Sequence, residues 1–229
     1  MSQNNIKFAL RFIMGWYCLP FRNKIDIMIT FDDLGIRNDI LKAITELGFE
    51  SPMPIQEMVI PHLLEKDGDV VGLAQTGTGK TAAFGLPVLQ RIDSNKTTPQ
   101  ALIIAPTREL CLQIAGDLAD FAKYIDNLRI LPVYGGSSIE SQIRTLRKGV
   151  QVVVATPGRL IDLIKRGEVK LADVNTVILD EADEMLNMGF IDDINEILTF
   201  VPEDRKMLMF SATMPKEIAA IAKNFMHNP

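Results

Sequence analysis

Two stretches of this chain combine residue types that could do chemistry together. The first is AQTGTGKT, residues 74–81, which follows an apolar run and opens a helical pattern. Its glycines let backbone N–H groups converge on phosphate oxygens without Cβ clashes. The start of the following helix adds a favourable dipole for an anion. Ala74, Gln75, Thr76, Gly77, Thr78 and Gly79 would form the cradle. Lys80 would reach the β/γ-phosphates, and the Thr81 hydroxyl would hold Mg²⁺. The strict pattern opens with Gly where this chain has Ala74, but Gly77 and Gly79 are kept. The plain alternative is a flexible Gly-Thr turn.

The second stretch is TVILDEADEMLNMGF, residues 176–190, where four carboxylates fall within five positions. Asp180 ends an apolar run and is placed to orient Mg²⁺ through water, because Mg²⁺ dehydrates reluctantly. Glu181 is placed to activate a water attacking the γ-phosphate. Asp183 lies too far along for the same task, and Glu184 reads as a solvated helix start where the dipole favours acids. An acidic helix N-terminus without chemistry is the competing reading. A phosphate loop in the same chain weakens it.

These residues need a frame that brings them to one edge. Short, continuous apolar runs occur at 69–74, 101–105, 129–134, 150–155, 176–180 and 207–211. Such runs read as strands of a parallel sheet covered on both faces. Amphipathic segments lie at 38–47, 54–65, 79–91, 107–123, 138–148, 157–166, 190–200 and 215–226. Ser137 and Glu140 predict a capping box, with Gly149 closing that helix. The alternation predicts a doubly wound α/β domain with a mainly parallel sheet and helices on both faces. Ligands of such sheets bind at the carboxyl ends of the strands, where both stretches fall.

Composition sets the outer bounds. The chain has 229 residues, 47% hydrophobic and 23% charged, which suits one globular α/β domain. Cys18 and Cys111 sit far apart, which argues against a disulfide scaffold or a zinc site and fits a reducing cytoplasm. The net charge of -5 speaks against a nucleic-acid partner. A local cationic groove can nevertheless exist on an acidic domain. No segment is long and apolar enough to span a bilayer. Residues 1–28 read as an extension outside the fold, with Met28 immediately before ITFDDLG as a possible natural start. Residues 29–229 read as the domain.

Taken in order, further motifs give the chain a family likeness. GFESPMPIQ (48–56) with Phe31 upstream, PTREL (106–110), GG (135–136), TPGRL (156–160), DEAD (180–183) and SAT (211–213) accompany the phosphate loop. In this the chain resembles the first RecA-like domain of DEAD-box ATP-dependent RNA helicases, most closely bacterial cold-shock-type members. The resemblance covers about residues 29–229. It implies that Gln56 reads adenine, since one amide can accept from N6 and donate to N7. It implies that Phe49 or Phe31 packs on the base, against the simpler reading of each as core. It implies that Arg108, Gly136, Thr156 and Arg159 touch the sugar–phosphate backbone of RNA, with little sequence preference. Surface ion pairs are the alternative for the two arginines. Ser211 and Thr213 would link the nucleotide and RNA sites through Asp183; the plain alternative is that Thr213 caps the following helix, and the two roles are compatible. The family pairs two RecA-like domains, and this chain holds one. ATP hydrolysis by it alone would then be slow, and unwinding inefficient. Another P-loop ATPase, or a non-catalytic ATP- and RNA-binding module, remain as alternatives.

Overall fold

The computed structural model describes residues 29–65, 68–75 and 77–229. The expected extension at 1–28, with Cys18, and the loop residue Thr76 lie outside the described residues. All six expected runs are strands: β1 (Val70–Leu73), β2 (Ala101–Ile104), β3 (Ile130–Val133), β4 (Val152–Ala155), β5 (Thr176–Leu179) and β6 (Lys206–Ser211). They form one sheet in the order β1-β6-β5-β2-β4-β3, and every pairing is parallel. From β1 the chain winds outward through β2 to β3, then returns through β4 and β5 to β6.

Side chains on a strand point alternately to opposite faces. Here both faces are covered, so both parities are apolar. Ala101 and Ile103 of β2, Val152 and Val154 of β4, and Leu208 and Phe210 of β6 enter one core. Their neighbours Leu102, Ile104, Val153, Ala155, Met207 and Met209 enter the other. The first core is closed by helices α1 (Asn38–Glu46), α2 (Pro54–Glu65), α3 (Lys80–Arg91) and α4 (Arg108–Phe121). The second is closed by α5 (Ile139–Arg147), α6 (Pro157–Lys165), α7 (Ala182–Asn187), α8 (Ile191–Leu198) and α9 (Lys216–Phe225). The outward half of the winding thus covers one face and the returning half the other. Within β1, Gly72 is forced by packing, because a Cβ there would lie 2.7 Å from the Phe210 ring.

One local expectation is corrected. The cap of α5 is Ser138, whose Oγ accepts the Ser141 N–H at 3.3 Å and donates to Glu140 at 2.9 Å. Ser137 Oγ instead accepts from the Gln142 amide at 2.8 Å. The helix starts one residue later than the Ser137–Glu140 spacing predicts, so the reciprocal box does not form. Gly149 does close the helix, its N–H reaching the Leu146 carbonyl. Among the described residues no helix is long and apolar enough to cross a membrane.

Candidate active site

The loop after β1 is tied at its root, where the Ala74 N–H donates to the Ser211 carbonyl at 3.0 Å. Within it the Thr78 hydroxyl donates to the Gln75 carbonyl at 2.8 Å. Gly79 ends the loop at φ +84°, the left-handed region that disfavours side chains. A Cβ there would meet Gln56 Nε2 at 2.5 Å and Met53 Sδ at 2.7 Å. Conformation and close approach therefore both require glycine. This turn lets α3 begin directly at Lys80, with Thr81 in its first turn.

Lys80 and Asp180 face each other at the base of the site. Their Nζ and Oδ1 atoms are 3.2 Å apart, and both side chains are buried. Burial pushes the Asp180 carboxyl above the ordinary carboxylate value, with the Lys80 ammonium opposing and Glu181 adding to the rise. Glu181 sits in left-handed backbone, φ 52° and ψ 52°. That conformation costs a non-glycine residue roughly 1–2 kcal/mol. The turn that requires it directs the chain from β5 into α7, and the Glu181 carbonyl accepts the Met185 N–H. Strain of this kind at a carboxylate lining a cavity is a pointer to function.

Asp183 is held by the stretch after β6. Its carboxylate accepts the Thr213 hydroxyl at 2.8 Å and the Thr213 N–H at 2.9 Å, while its own N–H donates to Ser211 Oγ at 3.1 Å. Partial burial works to raise its carboxyl. Hydrogen bonds from Thr213, Ser211 and the Ala212 and Thr213 backbone outweigh this and hold it below the ordinary value. The Thr213 hydroxyl is thus committed to Asp183 and not to a helix cap; Pro215 occupies the cap position of α9.

Above Lys80 opens a cavity of about 450 Å³, lined among others by Phe49, Gln56, Lys80, Thr81, Asp180 and Glu181. Gln56 is 2% exposed, and its amide joins two loops: Oε1 accepts the Met53 N–H at 2.8 Å and Nε2 donates to the Gly79 carbonyl at 3.1 Å. A primary amide has capacity for two more hydrogen bonds. Phe49 lines the cavity and meets Phe121 edge-on at 5.7 Å. Phe31 lies behind it, 5.9 Å from Phe49 and 4% exposed, as a core residue. The opposite wall comes from α4 through Gln113, Asp117 and Asp120. Sequence reasoning missed these residues, although the polar stripe at helical spacing 113–117–120 was the available signal. Burial, with Asp120 adding, raises the Asp117 carboxyl.

The four residues expected at a nucleic-acid surface also converge. They follow β2, β3 and β4 at the same carboxyl edge of the sheet. The Arg108 guanidinium lies over the Tyr134 ring at 4.9 Å, and a Cβ on Gly136 would sit 3.6 Å from Arg108 Nη1. Arg159 Nη1 donates to the Ser137 carbonyl at 3.1 Å and to Gln142 Oε1 at 3.0 Å. Thr156 starts α6, its N–H on the Val133 carbonyl. Among the described residues neither arginine makes an ion pair. Cys111 stands apart from this chemistry: it is buried, and burial pushes its thiol up to about 11.

Among the described residues no group of three or more His, Cys, Asp or Glu side chains forms a metal cage. Mg²⁺ does not need one, since it keeps several waters and takes one or two protein oxygens. Thr81 and Asp180 line the same cavity, which places one hydroxyl oxygen and one carboxylate there.

A parallel α/β sheet with a glycine loop after its edge strand and carboxylates after a central one defines a RecA-like P-loop domain. The chain belongs to the DEAD/DEAH box helicase family, whose pattern matches residues 53–221. It is 52% identical over 201 residues to the ATP-dependent RNA helicase DeaD of Haemophilus influenzae, covering 88% of this chain and 33% of that protein. It is 52% identical over 202 residues to the DEAD-box ATP-dependent RNA helicase CshA of Geobacillus kaustophilus, covering 88% of this chain and 43% of that one. The crystal structure of a DEAD box protein from the hyperthermophile Methanococcus jannaschii superposes with a TM-score of 0.83 at 45% identity, covering 87% of this chain and 54% of that chain. The chain therefore spans 33 to 43% of the length of these bacterial relatives.

Proposed function

We propose that this chain is the ATP-binding core domain of an ATP-dependent RNA helicase. The observation that carries the reading is the buried Lys80–Asp180 pair beneath a cavity that also presents Gln56, Thr81 and Glu181. Loop N–H groups and Lys80 bind the phosphates, and Gln56 offers its remaining donor and acceptor to adenine, with Phe49 against the base. Thr81 and Asp180 would hold Mg²⁺, which supplies charge neutralisation at the β- and γ-phosphates when bound. Glu181 orients the attacking water and takes its proton. Arg108, Gly136, Thr156 and Arg159 grip the RNA backbone, which positions the strand without reading its sequence. Asp183, bridged to Ser211 and Thr213, couples the two surfaces.

The proposal extends to a longer parent with a second RecA-like domain, in keeping with the greater length of the relatives. Such a domain would bring arginine fingers, worth about 10³–10⁵ in rate among P-loop enzymes. A cytoplasmic setting belongs to the same proposal and is supported by the bacterial relatives. ATPase and duplex unwinding, measured with and without RNA on this chain and on the parent, test it. We expect slow hydrolysis and no efficient unwinding by this chain alone, and RNA-stimulated turnover in the parent. Lys80→Ala or Glu181→Gln should abolish the parent's turnover. Retained turnover in either would remove the assigned role, and strong unwinding by this chain alone would refute the need for a second domain.

A further inference from the structure

Gln142 is the only buried residue of α5, at 6% exposed. The apolar residues of that helix, Ile139, Ile143 and Leu146, pack on the core but each keeps some exposure. An amide is an unexpected choice for the deepest position, because burying it is costly unless its polar atoms find partners. Gln142 finds them in two different motifs. Its Nε2 donates to the Tyr134 carbonyl at 3.1 Å and to Ser137 Oγ at 2.8 Å, on either side of the turn at Gly135 and Gly136. Its Oε1 accepts from Arg159 Nη1 at 3.0 Å. The amide has one orientation that suits this set, since a carbonyl can only accept and a guanidinium can only donate.

The stretch 134–142 also reaches the other arginine of this surface. The Tyr134 ring lies under the Arg108 guanidinium at 4.9 Å, and Gln142 holds the Tyr134 backbone. Arg159 Nη1 makes a second bond to the same stretch, donating to the Ser137 carbonyl at 3.1 Å. Both bonds of Arg159 thus leave from Nη1. Among the described residues its Nε and Nη2 have no protein partner. The edge of the guanidinium that can grip a phosphate with two parallel bonds therefore stays available.

We propose that Gln142 is a positioning residue for RNA, which locks the turn at 135–136 to Arg159 so that Gly136 and Arg159 meet the sugar–phosphate backbone as one preset surface. The inference rests on the RNA reading above and adds to it a residue that touches no RNA. A free arginine gives up rotamer freedom when it seizes a phosphate, which weakens binding. With Nη1 fixed by Gln142 and Ser137, that ordering is complete before RNA arrives. Without Gln142 the Ser137 carbonyl alone would hold Arg159, and the turn would lose both of its side-chain ties.

Fluorescence anisotropy of this chain with a single-stranded RNA oligomer of uridines, over a range of salt, tests the assignment. The variants are Gln142→Leu, Gln142→Glu, Arg159→Ala and the double variants of Arg159→Ala with each change at 142. Leucine removes all three bonds. Glutamate keeps the shape, turns an oxygen on the Tyr134 carbonyl and offers Arg159 a carboxylate in place of phosphate. Gln142→Leu should weaken RNA binding about fivefold, and Gln142→Glu more. In Gln142→Glu the steepness of the salt dependence should fall by about one counterion, as in Arg159→Ala. The loss in each double variant should fall short of the product of the two single losses, because both changes act on one contact. If Gln142→Leu does not fold, Gln142→Glu and its double variant carry the same comparison. ATP affinity is the control: a fall that parallels the RNA loss would mark a general structural role and overturn the assignment. If Arg159→Ala weakens RNA binding while the Gln142 variants bind normally, or if the losses multiply, this inference alone fails. If the unsubstituted chain does not bind RNA, or Arg159→Ala binds it equally well, the RNA reading fails and the inference with it.

Discussion

Asp180 and Asp183 lie three positions apart and are shifted in opposite directions. Asp180 is raised chiefly by burial, and Asp183 is held low by hydrogen bonds that outweigh its partial burial. For Asp183 the sign is definite. A carboxyl with a depressed folded pKa contributes stability above its ordinary value of 3.8, and this is lost as pH falls through the folded value. Asp183→Asn should therefore lower the melting temperature most in the neutral region and flatten the acid limb, the two profiles converging as pH falls through the folded value. Thermal melts of both proteins across the acid range check this, and parallel profiles would contradict it. For Asp180 the sign is reversed. Its raised folded value disfavours the ionised native state, so its contribution declines as pH rises from the ordinary value through the folded one. The chemistry of these residues was legible because it is local: a glycine loop and a strand-end acid announce themselves within eight residues. The burial of Phe31, and the polar wall supplied by Gln113 and Asp117, depend on which helices pack together, and no short spacing encodes that.

Secondary elements were the most readable part of the chain. Six apolar runs became six strands because a sheet covered on both faces makes both side-chain parities apolar, and that leaves an uninterrupted signature. The start of α5 was misplaced by one residue because adjacent serines, Ser137 and Ser138, offer nearly equal caps; the geometry of the preceding turn selects between them. Central strands bear the largest packing burden. Ile103 in β2 is fully buried. Ile103→Ala should cost about 2–5 kcal/mol by loss of transfer energy and cavity formation. Met58 on α2 is 66% exposed, and Met58→Ser should stay within about 0.5 kcal/mol. Urea unfolding of both variants measures the contrast, and similar midpoints would disprove the two-sided core.

The whole molecule separates its charges more clearly than its net balance suggests. Arg108 and Arg159 stand at the carboxyl edge of the sheet without carboxylate partners among the described residues, so a chain with a net charge of -5 still presents a local cationic surface there. If that surface holds RNA, Arg108→Ala or Arg159→Ala should weaken RNA binding about equally across sequences. Each should lower the steepness of its salt dependence by about one counterion. ATP binding should be unaffected. Fluorescence anisotropy with several RNA sequences over a range of salt tests this, and a sequence-dependent loss would count against backbone recognition.

The position of β6 has a consequence for how the molecule is made. Among the described residues β1, which precedes the phosphate loop, has β6 as its only neighbour in the sheet. Asp69 at the foot of β1 closes onto Met207 across 138 residues of sequence. At a synthesis rate of about 5–20 residues per second, β1 waits on the order of ten seconds for its partner to be translated. Until then its hydrogen-bonding edges are unpaired within the sheet, and the residues that clasp Asp183 do not yet exist. The carboxyl edge that holds the phosphate loop is thus completed only once β6 has been translated, and a nascent chain stopped short of residue 206 would carry every motif of the phosphate loop without a wall to hold it.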